Sequence, residues 1–461
     1  MKHVVIVGGG ITGLSAAFSL QNQIDDKQLP IKVTLIEAES RLGGKIQTEY
    51  HDDFVIERGP DSYLGRKKAM TNLIEKLGID HDLVNNHAGQ AFILHGTKLY
   101  PMPEGAVMGV PTEISPFLSS GLFSLKGKAR AGLDLILPKT QFKGDQSVGG
   151  FFKRRLGDEV VDNLIEPLLS GVYAGNIDKI SLESTFPQFQ DIESRYRSLI
   201  LGMKHTKAKK REKSSKGPFL TLKKGLSSLV GALEDYLNGK IEWKMETAVE
   251  KLYRSNSRYT LQLSDGTSVE ADKVIVTVPG RKAAAFFDQE TKGLIGEVPA
   301  TSVATIAMAF LDSAIPESIN GTGFVVSKKS PFTITACTWT NQKWPHTTPE
   351  GYVLLRCYVG REHDQEIVGE SDETILSNVL ADLHKIMSID AKPEFFYITR
   401  WKKAMPQYLV GHRERKNRLH ERLETHYPGI QLIGASLDGI GLPDCVVAGE
   451  NAADHVIKSL T

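Results

Sequence analysis

The stretch of residues 4–20 constrains the fold more strongly than any other part of this sequence. Four apolar residues, 4–7, lead into the glycines Gly8 to Gly10, and Gly13 follows within an apolar helical pattern. Glycines at these positions allow a sharp turn and let a pyrophosphate approach free backbone N–H groups at a helix N-terminus, whose dipole favours negative charge. The stretch therefore predicts a strand, a phosphate-binding turn and a helix that together hold a dinucleotide.

A second apolar run, residues 31–36, ends at Glu37 and strengthens this prediction. A carboxylate roughly 20 residues beyond the glycines can accept hydrogen bonds from both ribose hydroxyls, and it would repel a 2′-phosphate, which disfavours NADP. The alternative is a tight turn in an α/β protein that binds no nucleotide. The acid at the end of the second strand argues against that alternative.

A second glycine-rich loop, SRLGGK at residues 40–45, distinguishes between dinucleotides. Its two glycines permit another close approach to the backbone, and Arg41 or Lys45 could contact a phosphate. A nicotinamide dehydrogenase does not need such a loop here, whereas a flavin dinucleotide extended along the domain would use it. The turn at Gly59 and Pro60 could then lie beside the isoalloxazine ring, or it could be a plain surface turn.

Composition excludes several other classes of protein. The length of 461 residues allows roughly two to four domains, and the net charge of +1 gives no general attraction to nucleic acid. No apolar run approaches the ~18 to 20 residues that span a bilayer, and the first residues enter a strand instead of a signal peptide, so we expect a cytoplasmic protein. Cys337, Cys357 and Cys445 lack CxxC spacing, so we expect reduced thiols and no metal site.

The middle of the chain predicts helices and a charged loop. Prolines between residues 101 and 116 exclude one long helix there, and residues 117–130 form an amphipathic surface that is either buried in a helical domain, which we favour, or rests on lipid. An amphipathic helix is predicted to end near Ser170, before small residues that would let a flat ligand approach the backbone. Residues 204–216 hold seven Lys and Arg residues and are expected to be a solvated loop, with a nucleic-acid or lipid role as the weaker alternative.

The remainder of the chain predicts sheets and one further helix. Alternating patterns over residues 301–401 predict a mixed sheet that forms one wall of a substrate cavity. A strand near Val249 would abut an adenine, and residues 431–434 predict a strand that leads through a loop into a helix. The N-terminus of that helix would direct N–H groups at a flavin ring edge that becomes negative on reduction, which stabilises the reduced cofactor.

Together these motifs resemble those of a known family. GGGITGL, the acid Glu37 followed by RLGGK, ERGPDS, GVYAGNI and GASLDGIGLPDC are similar to motifs of the flavin amine-oxidase superfamily. Within it they resemble the porphyrinogen oxidases, among them the bacterial coproporphyrinogen III oxidases, also called soluble protoporphyrinogen oxidases. The similarity covers essentially the whole chain, and TACTWTNQKWP and MPQYLVGH are further family-like stretches.

The resemblance implies an α/β fold with a discontinuous, Rossmann-like FAD-binding domain, a mixed-sheet substrate domain and an inserted helical domain, which docks at membranes in some members. The FAD-binding domain would comprise residues 1–70, 217–285 and 425–461, the substrate domain residues 71–95 and 286–424, and the helical domain residues 96–216. The implied reaction is a six-electron oxidation of a porphyrinogen in three two-electron steps, with oxygen re-oxidising the flavin to give hydrogen peroxide.

The implied site residues follow from the motifs. FAD, bound non-covalently, would contact Gly8, Gly10, Ile11, Thr12, Gly13, Glu37, Ala38, Arg41, Gly43, Gly44, Lys45, Gly59, Pro60, Asp61, Ser62, Val249, Ala435, Gly441, Leu442, Pro443, Asp444, Cys445 and Val446. The substrate would contact Gly171, Val172, Tyr173, Ala174 and Gly175. No side chain is expected to act as acid, base or nucleophile, because the protein mainly has to position the macrocycle against the flavin. A covalent thioether at Cys445 is disfavoured, since a packed thiol explains that residue equally well.

Charge is expected to select the substrate. Coproporphyrinogen carries four propionates and protoporphyrinogen two, so cations at the cavity mouth would favour the former. Lys67 or Lys68 could supply one such cation, or both could be solvated residues at the start of a helix. Expected partners are the porphyrinogen, molecular oxygen and, transiently, the next haem-pathway enzyme or a membrane surface.

Two alternatives to a porphyrinogen oxidase stay open. The first is an amine oxidase or carotenoid-type desaturase of the same fold. An amine substrate would require an aromatic cage around the flavin, and the run before Gly434 offers only Tyr427. The second is a protein that binds flavin or tetrapyrrole without catalysis.

Overall fold

The computed structural model describes residues 1–140, 144–209, 217–255, 257–296, 298–316 and 320–461, with the backbone alone at 172 and 207–209. The strands in these residues are β1 (Lys2–Val7), β2 (Ile31–Ile36), β3 (Thr48–His51), β4 (Phe54–Glu57), β5 (Tyr63–Leu64), β6 (Leu83–Asn85), β7 (Ala91–His95), β8 (Lys98–Pro101), β9 (Phe219–Leu222), β10 (Glu242–Lys244), β11 (Val249–Ser255), β12 (Arg258–Leu263), β13 (Ser268–Ala271), β14 (Lys273–Val276), β15 (Ala300–Leu311), β16 (Gly323–Val326), β17 (Ile334–Trp339), β18 (Tyr352–Val359), β19 (Phe395–Pro406) and β20 (Ile430–Leu432).

The α-helices in the same residues vary from single turns to five turns. They are α1 (Ile11–Lys27), α2 (Lys68–Lys76), α3 (Ile114–Ser119), α4 (Leu125–Gly132), α5 (Val148–Leu156), α6 (Asp158–Val160), α7 (Glu166–Tyr173), α8 (Leu182–Thr185), α9 (Pro187–Tyr196), α10 (Leu199–Lys209), α11 (Ser227–Leu237), α12 (Gly280–Ala283), α13 (Gln289–Gly296), α14 (Thr340–Lys343), α15 (Asp372–Met387), α16 (His412–His426) and α17 (Leu442–Leu460). A π-helical turn, Val161–Ile165, joins α6 to α7.

A five-stranded parallel sheet lies at the centre of the part of the fold that is predicted to bind a dinucleotide. Its strand order is β10-β2-β1-β14-β20, and every neighbouring pair is parallel. The central strand β1 is buried from Val4 to Val7, because helices cover one face of the sheet and the antiparallel sheet β11-β12-β13, with α12, α13 and α16, covers the other. Helices α1, α11 and α17 pack on one face and share its apolar core. The predicted α/β fold is confirmed, and strands from widely separated parts of the chain build this sheet.

A seven-stranded mixed sheet is the second large sheet of the protein. Its order is β19-β15-β18-β17-β16-β7-β8, in which only β16 and β7 run parallel to each other. Helix α15 covers one face through apolar residues at helical spacing. Strand β8 pairs with β7 in this sheet, although the resemblance implies a helical domain that begins at residue 96. The domain boundaries stay predictions.

A helical segment inserted between β8 and β9 has its own core. Arg155 on α5 is fully buried, and its Nε donates to Asp134 Oδ1 at 2.6 Å, while Ser198 Oγ donates to Asp134 Oδ2 at 2.6 Å.

The prediction of one amphipathic helix ending near Ser170 is wrong. Gly157 has φ +84°, which ends α5, and the chain continues through α6 and the π-helical turn into α7.

Two further expectations change in this segment. The basic run is helical over residues 204–209, which close α10, although its charge pattern predicts a solvated loop; residues 210–216 lie outside the described residues. The favoured burial of the amphipathic surface holds for Phe117, Leu122 and Phe123, whereas Leu118 and Leu125 are exposed. Within the described part of the chain, no helix is both long and apolar enough to cross a membrane.

Candidate functional site

The turn between β1 and α1 has the geometry of a phosphate cradle. Gly8 has φ +111°, and a Cβ at Gly13 would overlap the carbonyl oxygen of Gly8, so both positions require glycine. Gly10 is the N-cap of α1, and a Cβ there would meet no atom within 4 Å. Ile11 and Thr12 open the helix and are buried. The turn is therefore closed against the protein at Gly13 and open beside Gly10.

Glu37 lies directly against this turn. Its Oε2 accepts a hydrogen bond from the Gly9 N–H at 2.6 Å, and its Oε1 accepts one from the Glu39 N–H at 2.9 Å. Ala38 next to it is exposed. The backbone carbonyl of Glu37 accepts the Thr247 N–H at 2.9 Å, which brings the start of β11, at Val249, to the same edge of the sheet.

The RLGGK loop is hydrogen-bonded to the first glycine turn. The Gly43 N–H donates to Gly9 O at 2.9 Å, and Gly43 and Gly44 have φ +94° and +58°. The Arg41 guanidinium donates to the carbonyls of Leu42, Gly44 and Ile46 within the loop itself. Arg41 thus shapes the loop in this structure, while the two glycine-rich loops form one continuous edge.

Lys45 is half-buried behind that edge. Its Nζ donates to the carbonyl of Ala404, which belongs to an irregular part of β19. Burial lowers the pKa of Lys45, with the nearby Cys445 opposing that shift. Burial raises the pKa of the Cys445 thiol, whose Sγ donates to Gly439 O at 3.6 Å.

The GPDS turn is fixed by residues of the mixed sheet. Arg356 on β18 donates to Gly59 O, and a Cβ at Gly59 would overlap Lys45 O. Asp61, between the half-buried Pro60 and Ser62, accepts from Ser62 Oγ at 2.7 Å and pairs with Lys343 at 2.8 Å. Burial alone would raise the pKa of Asp61, but the Lys343 and Arg356 charges hold it well below its usual range.

Glu57, at the end of β4, is a buried carboxyl next to this turn. Its Oε1 accepts the Leu226 N–H at 2.6 Å and its Oε2 accepts Thr48 Oγ1 at 3.0 Å. Burial raises its pKa to about 7, although both hydrogen bonds work in the opposite direction. Glu57 also lines an enclosed cavity of about 20 Å³ together with Asp61 and Arg356, a volume that suits one water molecule.

The loop between β20 and α17 completes this side of the structure. It runs from Gly434 to Gly441, the N-cap of α17, and includes Ala435. Leu442 and Pro443 form the first helical positions, and Val446 is fully buried.

Lys67 connects that helix to the GPDS region. Its Nζ lies 2.6 Å from both carboxylate oxygens of Asp444, so the predicted substrate cation forms an ion pair with a predicted cofactor residue. Lys68 is the first residue of α2 and is exposed. The two lysines are equal candidates from the sequence, but in the structure Lys67 is paired with Asp444 and Lys68 is exposed.

The GVYAG stretch begins inside α7, although the sequence predicts that the helix ends near Ser170. Gly171, Val172 and Tyr173 end α7, Ala174 has φ +50°, and only Gly175 lies beyond the helix cap. The Tyr173 hydroxyl is buried, which raises its pKa. The side chain of Val172 lies outside the described residues.

Four residues at this site had no predicted role. Arg356 and Lys343 fix the GPDS turn, and Gln407 and Tyr408 contact the GVYAG turn and the Gly434–Gly441 loop. Lys343 lies in TACTWTNQKWP, and the other pair lies in MPQYLVGH, so the family-like stretches were the available signal. Direct contacts therefore join the glycine loops to Glu37 and to the GPDS turn, and join the GPDS region to the start of α17.

Comparisons with known proteins agree with this arrangement. The family model described as flavin containing amine oxidoreductase matches residues 11–457. The chain is 51% identical to the coproporphyrinogen III oxidase of Bacillus subtilis over 100% of this chain and 98% of that protein, and 43% identical to that of Staphylococcus aureus over 100% of both. A crystal structure of a protein from Exiguobacterium sp. 255-15 superposes with a TM-score of 0.90 at 40% identity, over 99% of each chain. The chain is a flavin-dependent oxidoreductase that belongs to the family of flavin-containing amine oxidoreductases.

Proposed function

We propose that this chain is an FAD-dependent coproporphyrinogen III oxidase of haem biosynthesis. It oxidises coproporphyrinogen III to coproporphyrin III in three two-electron steps and reduces oxygen to hydrogen peroxide. The observation that carries this proposal is the identity of 51% to a coproporphyrinogen III oxidase over 100% of this chain. Protoporphyrinogen IX is the second substrate candidate, because a chloroplastic protoporphyrinogen oxidase of Arabidopsis thaliana is 28% identical over 98% of this chain and 87% of that protein.

When bound, FAD would supply the two-electron acceptor for the hydride of a methylene bridge. The open space beside Gly10 fits its pyrophosphate, and Glu37 fits the ribose hydroxyls, because its carboxylate lies at the strand end against the same turn. Val249 would contact the adenine and the first turn of α17 the ring edge. The proposal is non-covalent FAD, since the Cys445 thiol has a raised pKa and already donates to Gly439 O.

The protein groups then act by positioning and by excluding water. The Asp61–Lys343 pair and Arg356 hold the GPDS turn rigid against Lys45, so the ring would meet a fixed wall. The GVYAG turn would face the macrocycle from the helical segment. For the propionates, the exposed Lys68 is available directly, whereas Lys67 would exchange its partner Asp444 for a substrate carboxylate.

The deciding experiment compares coproporphyrinogen III and protoporphyrinogen IX under air. Porphyrin fluorescence and hydrogen peroxide are recorded together, with three peroxide molecules expected per porphyrin. Coproporphyrinogen III should give the larger kcat/KM, because it carries four propionates instead of two. A yellow protein that produces peroxide with an amine and with neither porphyrinogen would identify an amine oxidase, and one that produces none would identify a binding protein.

Peripheral membrane contact forms part of the proposal. Leu118 and Leu125 of the helical segment are exposed, and Lys126 and Lys128 lie beside them in the sequence. We expect co-sedimentation with vesicles of anionic lipid that Leu118→Ser with Leu125→Ser abolishes. The matched control is Leu311→Ser, which changes an exposed leucine of the mixed sheet. Equal binding by the double variant would end this part of the proposal and leave the next haem-pathway enzyme as the expected partner.

A further inference from the structure

Gln407 and Tyr408 follow β19 and contact two parts of the site with neighbouring side chains. We propose that they are positioning residues: Tyr408 fixes the loop that leads into α17 and thereby tunes the flavin, and Gln407 fixes the substrate-facing turn at Tyr173. This assignment rests on the proposed function for what each part of the site binds. It goes beyond that function because it gives two residues outside the binding motifs separable effects on cofactor and substrate.

Tyr408 is held at the centre of the loop between β20 and α17. Its side chain is buried, its Oη donates to Ala435 O at 2.6 Å, and it accepts the Gly439 N–H at 2.8 Å. A single hydroxyl thus bridges two backbone groups on opposite sides of the loop. Buried backbone groups that lose their partners pay the full desolvation penalty, so this hydroxyl strongly favours one loop conformation.

His412 supports the same loop from the first turn of α16. Its ring stacks on Tyr408 with 4.1 Å between ring centroids and 14° between ring planes, and its Nε2 lies 3.1 Å from Leu437 O. Burial lowers the pKa of His412, which favours the neutral ring. Because a carbonyl oxygen can only accept, the ring carries its proton on Nε2 and donates it to Leu437 O. Two stacked rings therefore fix the loop at three points, Ala435, Leu437 and Gly439.

The conformation of this loop is transmitted to the start of α17. Gly439 has φ +138°, and its carbonyl accepts the Cys445 thiol, which lies in the first helical turn. The Cys445 N–H in turn donates to Gly441 O at 3.0 Å. Movement of Gly439 would thus shift the N–H groups that we expect at the flavin ring edge, and with them the relative stability of reduced flavin.

Gln407 contacts the turn at Tyr173 instead of the loop between β20 and α17. It is buried, and its Nε2 donates to Tyr173 O at 2.6 Å and to Met405 O at 2.8 Å. A Cβ at Gly175 would overlap Gln407 Oε1, so the amide and the glycine fit as a pair. The Ser181 N–H also donates to Tyr408 O at 2.8 Å, which anchors the segment to the chain that follows the turn.

The first variant is Tyr408→Phe, which keeps the ring and its stacking and removes the hydroxyl. We expect about a tenfold loss of preference for reduced over oxidised flavin, which lowers the two-electron midpoint potential by about 30 mV. The turnover number should fall about tenfold with KM unchanged, and the Gly439 N–H should exchange faster with solvent. His412→Phe, which removes the contact to Leu437 O, should shift the potential in the same direction.

The second variant is Gln407→Met, which keeps the length of the side chain and removes its amide. We expect about a tenfold higher KM for coproporphyrinogen III, with the midpoint potential unchanged. The matched control is Tyr427→Phe, in which a hydroxyl that donates to Asp288 Oδ2 at 3.0 Å is lost away from both loops. This control should keep the potential, KM and turnover number of the original protein.

Three outcomes would overturn the proposal: an unchanged potential in both Tyr408→Phe and His412→Phe, parallel losses of all parameters in Tyr408→Phe and Gln407→Met, or an equal shift in Tyr427→Phe. The potential and the hydrogen exchange need no porphyrinogen. If the original protein oxidised no porphyrinogen, the proposed function would fail, and these two measurements would still decide the role of Tyr408.

Discussion

Replacement of Gly10 by valine separates cofactor binding from folding. Gly10 has φ −71° and ψ 175°, a conformation that valine adopts readily, and a Cβ there meets no protein atom within 4 Å. The folded apoprotein should therefore tolerate the change. The cost is about 1 kcal/mol, because valine is a poor helix N-cap.

The effect on FAD should be far larger. The valine methyl groups would occupy the space in which the pyrophosphate approaches the turn, which separates it from the backbone N–H groups. Loss of about two charge-assisted hydrogen bonds, at about 1.5 to 3 kcal/mol each, weakens binding roughly 150- to 20,000-fold. At an FAD concentration of 100 times the original Kd, the protein would lose about 2.4 to 2.7 kcal/mol of ligand-linked stability.

The assay is thermal unfolding of the apoprotein and of FAD-loaded samples, together with flavin absorbance after gel filtration. Gly10→Val should unfold near the original apoprotein temperature and carry no flavin. Gly13→Ala is the control, because its Cβ would overlap Gly8 O and destabilise the apoprotein itself by about 1 to 3 kcal/mol or more. A Gly10→Val protein with a full complement of tightly bound FAD would refute the assignment of the turn.

Three further predictions concern charge. Burial raises the pKa of Glu57 from 4.5 to about 7, so the free energy of unfolding falls as pH rises between these values. Glu57→Gln should reduce that fall by about 3 kcal/mol, as measured by urea unfolding at pH 5 and pH 8. An equal fall in the variant and in the original protein would contradict this prediction. Arg155→Met leaves the Asp134 carboxylate buried without its partner and should cost about 3 to 5 kcal/mol in urea unfolding; a cost below about 1 kcal/mol would contradict a buried ion pair. Lys67→Ala with Lys68→Ala should raise KM for coproporphyrinogen III about tenfold, and an unchanged KM would dispose of both lysines as propionate ligands.

The sequence predicted those parts of the site in which one short motif determines the local geometry. Gly8 and Gly13 need glycine for reasons contained within the first strand, turn and helix, and Glu37 follows the very next strand. Both the fold class and the family follow from such motifs, because backbone conformation and strand order depend on patterns of a few residues. For these features the structure adds distances to what the sequence already indicates.

Side-chain partners from distant parts of the chain could not be predicted in this way. Lys67 meets Asp444 across 377 positions, and Tyr408 meets Ala435 although the strands that precede them, β19 and β20, belong to different sheets. The break in the helix at Gly157 also has a tertiary component, since a Cβ there would overlap the Arg130 side chain. The sequence shows the helical spacing of apolar residues in that segment, but it does not show which distant side chain packs against Gly157.

The order of strands in the parallel sheet also bears on how the protein is synthesised. β1 lies between β2 and β14, and β20 pairs beyond β14 roughly 420 residues after β1 leaves the ribosome. At about 5 to 20 residues per second, translation takes roughly 20 to 90 s to supply β20 and α17. Until β20 pairs with it, β14 is an unpaired edge strand of the sheet. Helix α17 packs against α1 where Gly449 lies close to Thr12 O, and until that contact forms the nascent chain lacks one wall of the proposed FAD site. We therefore expect FAD to bind only after α17 has been synthesised, and chaperones that shield β14 during that interval should raise the yield of FAD-loaded protein.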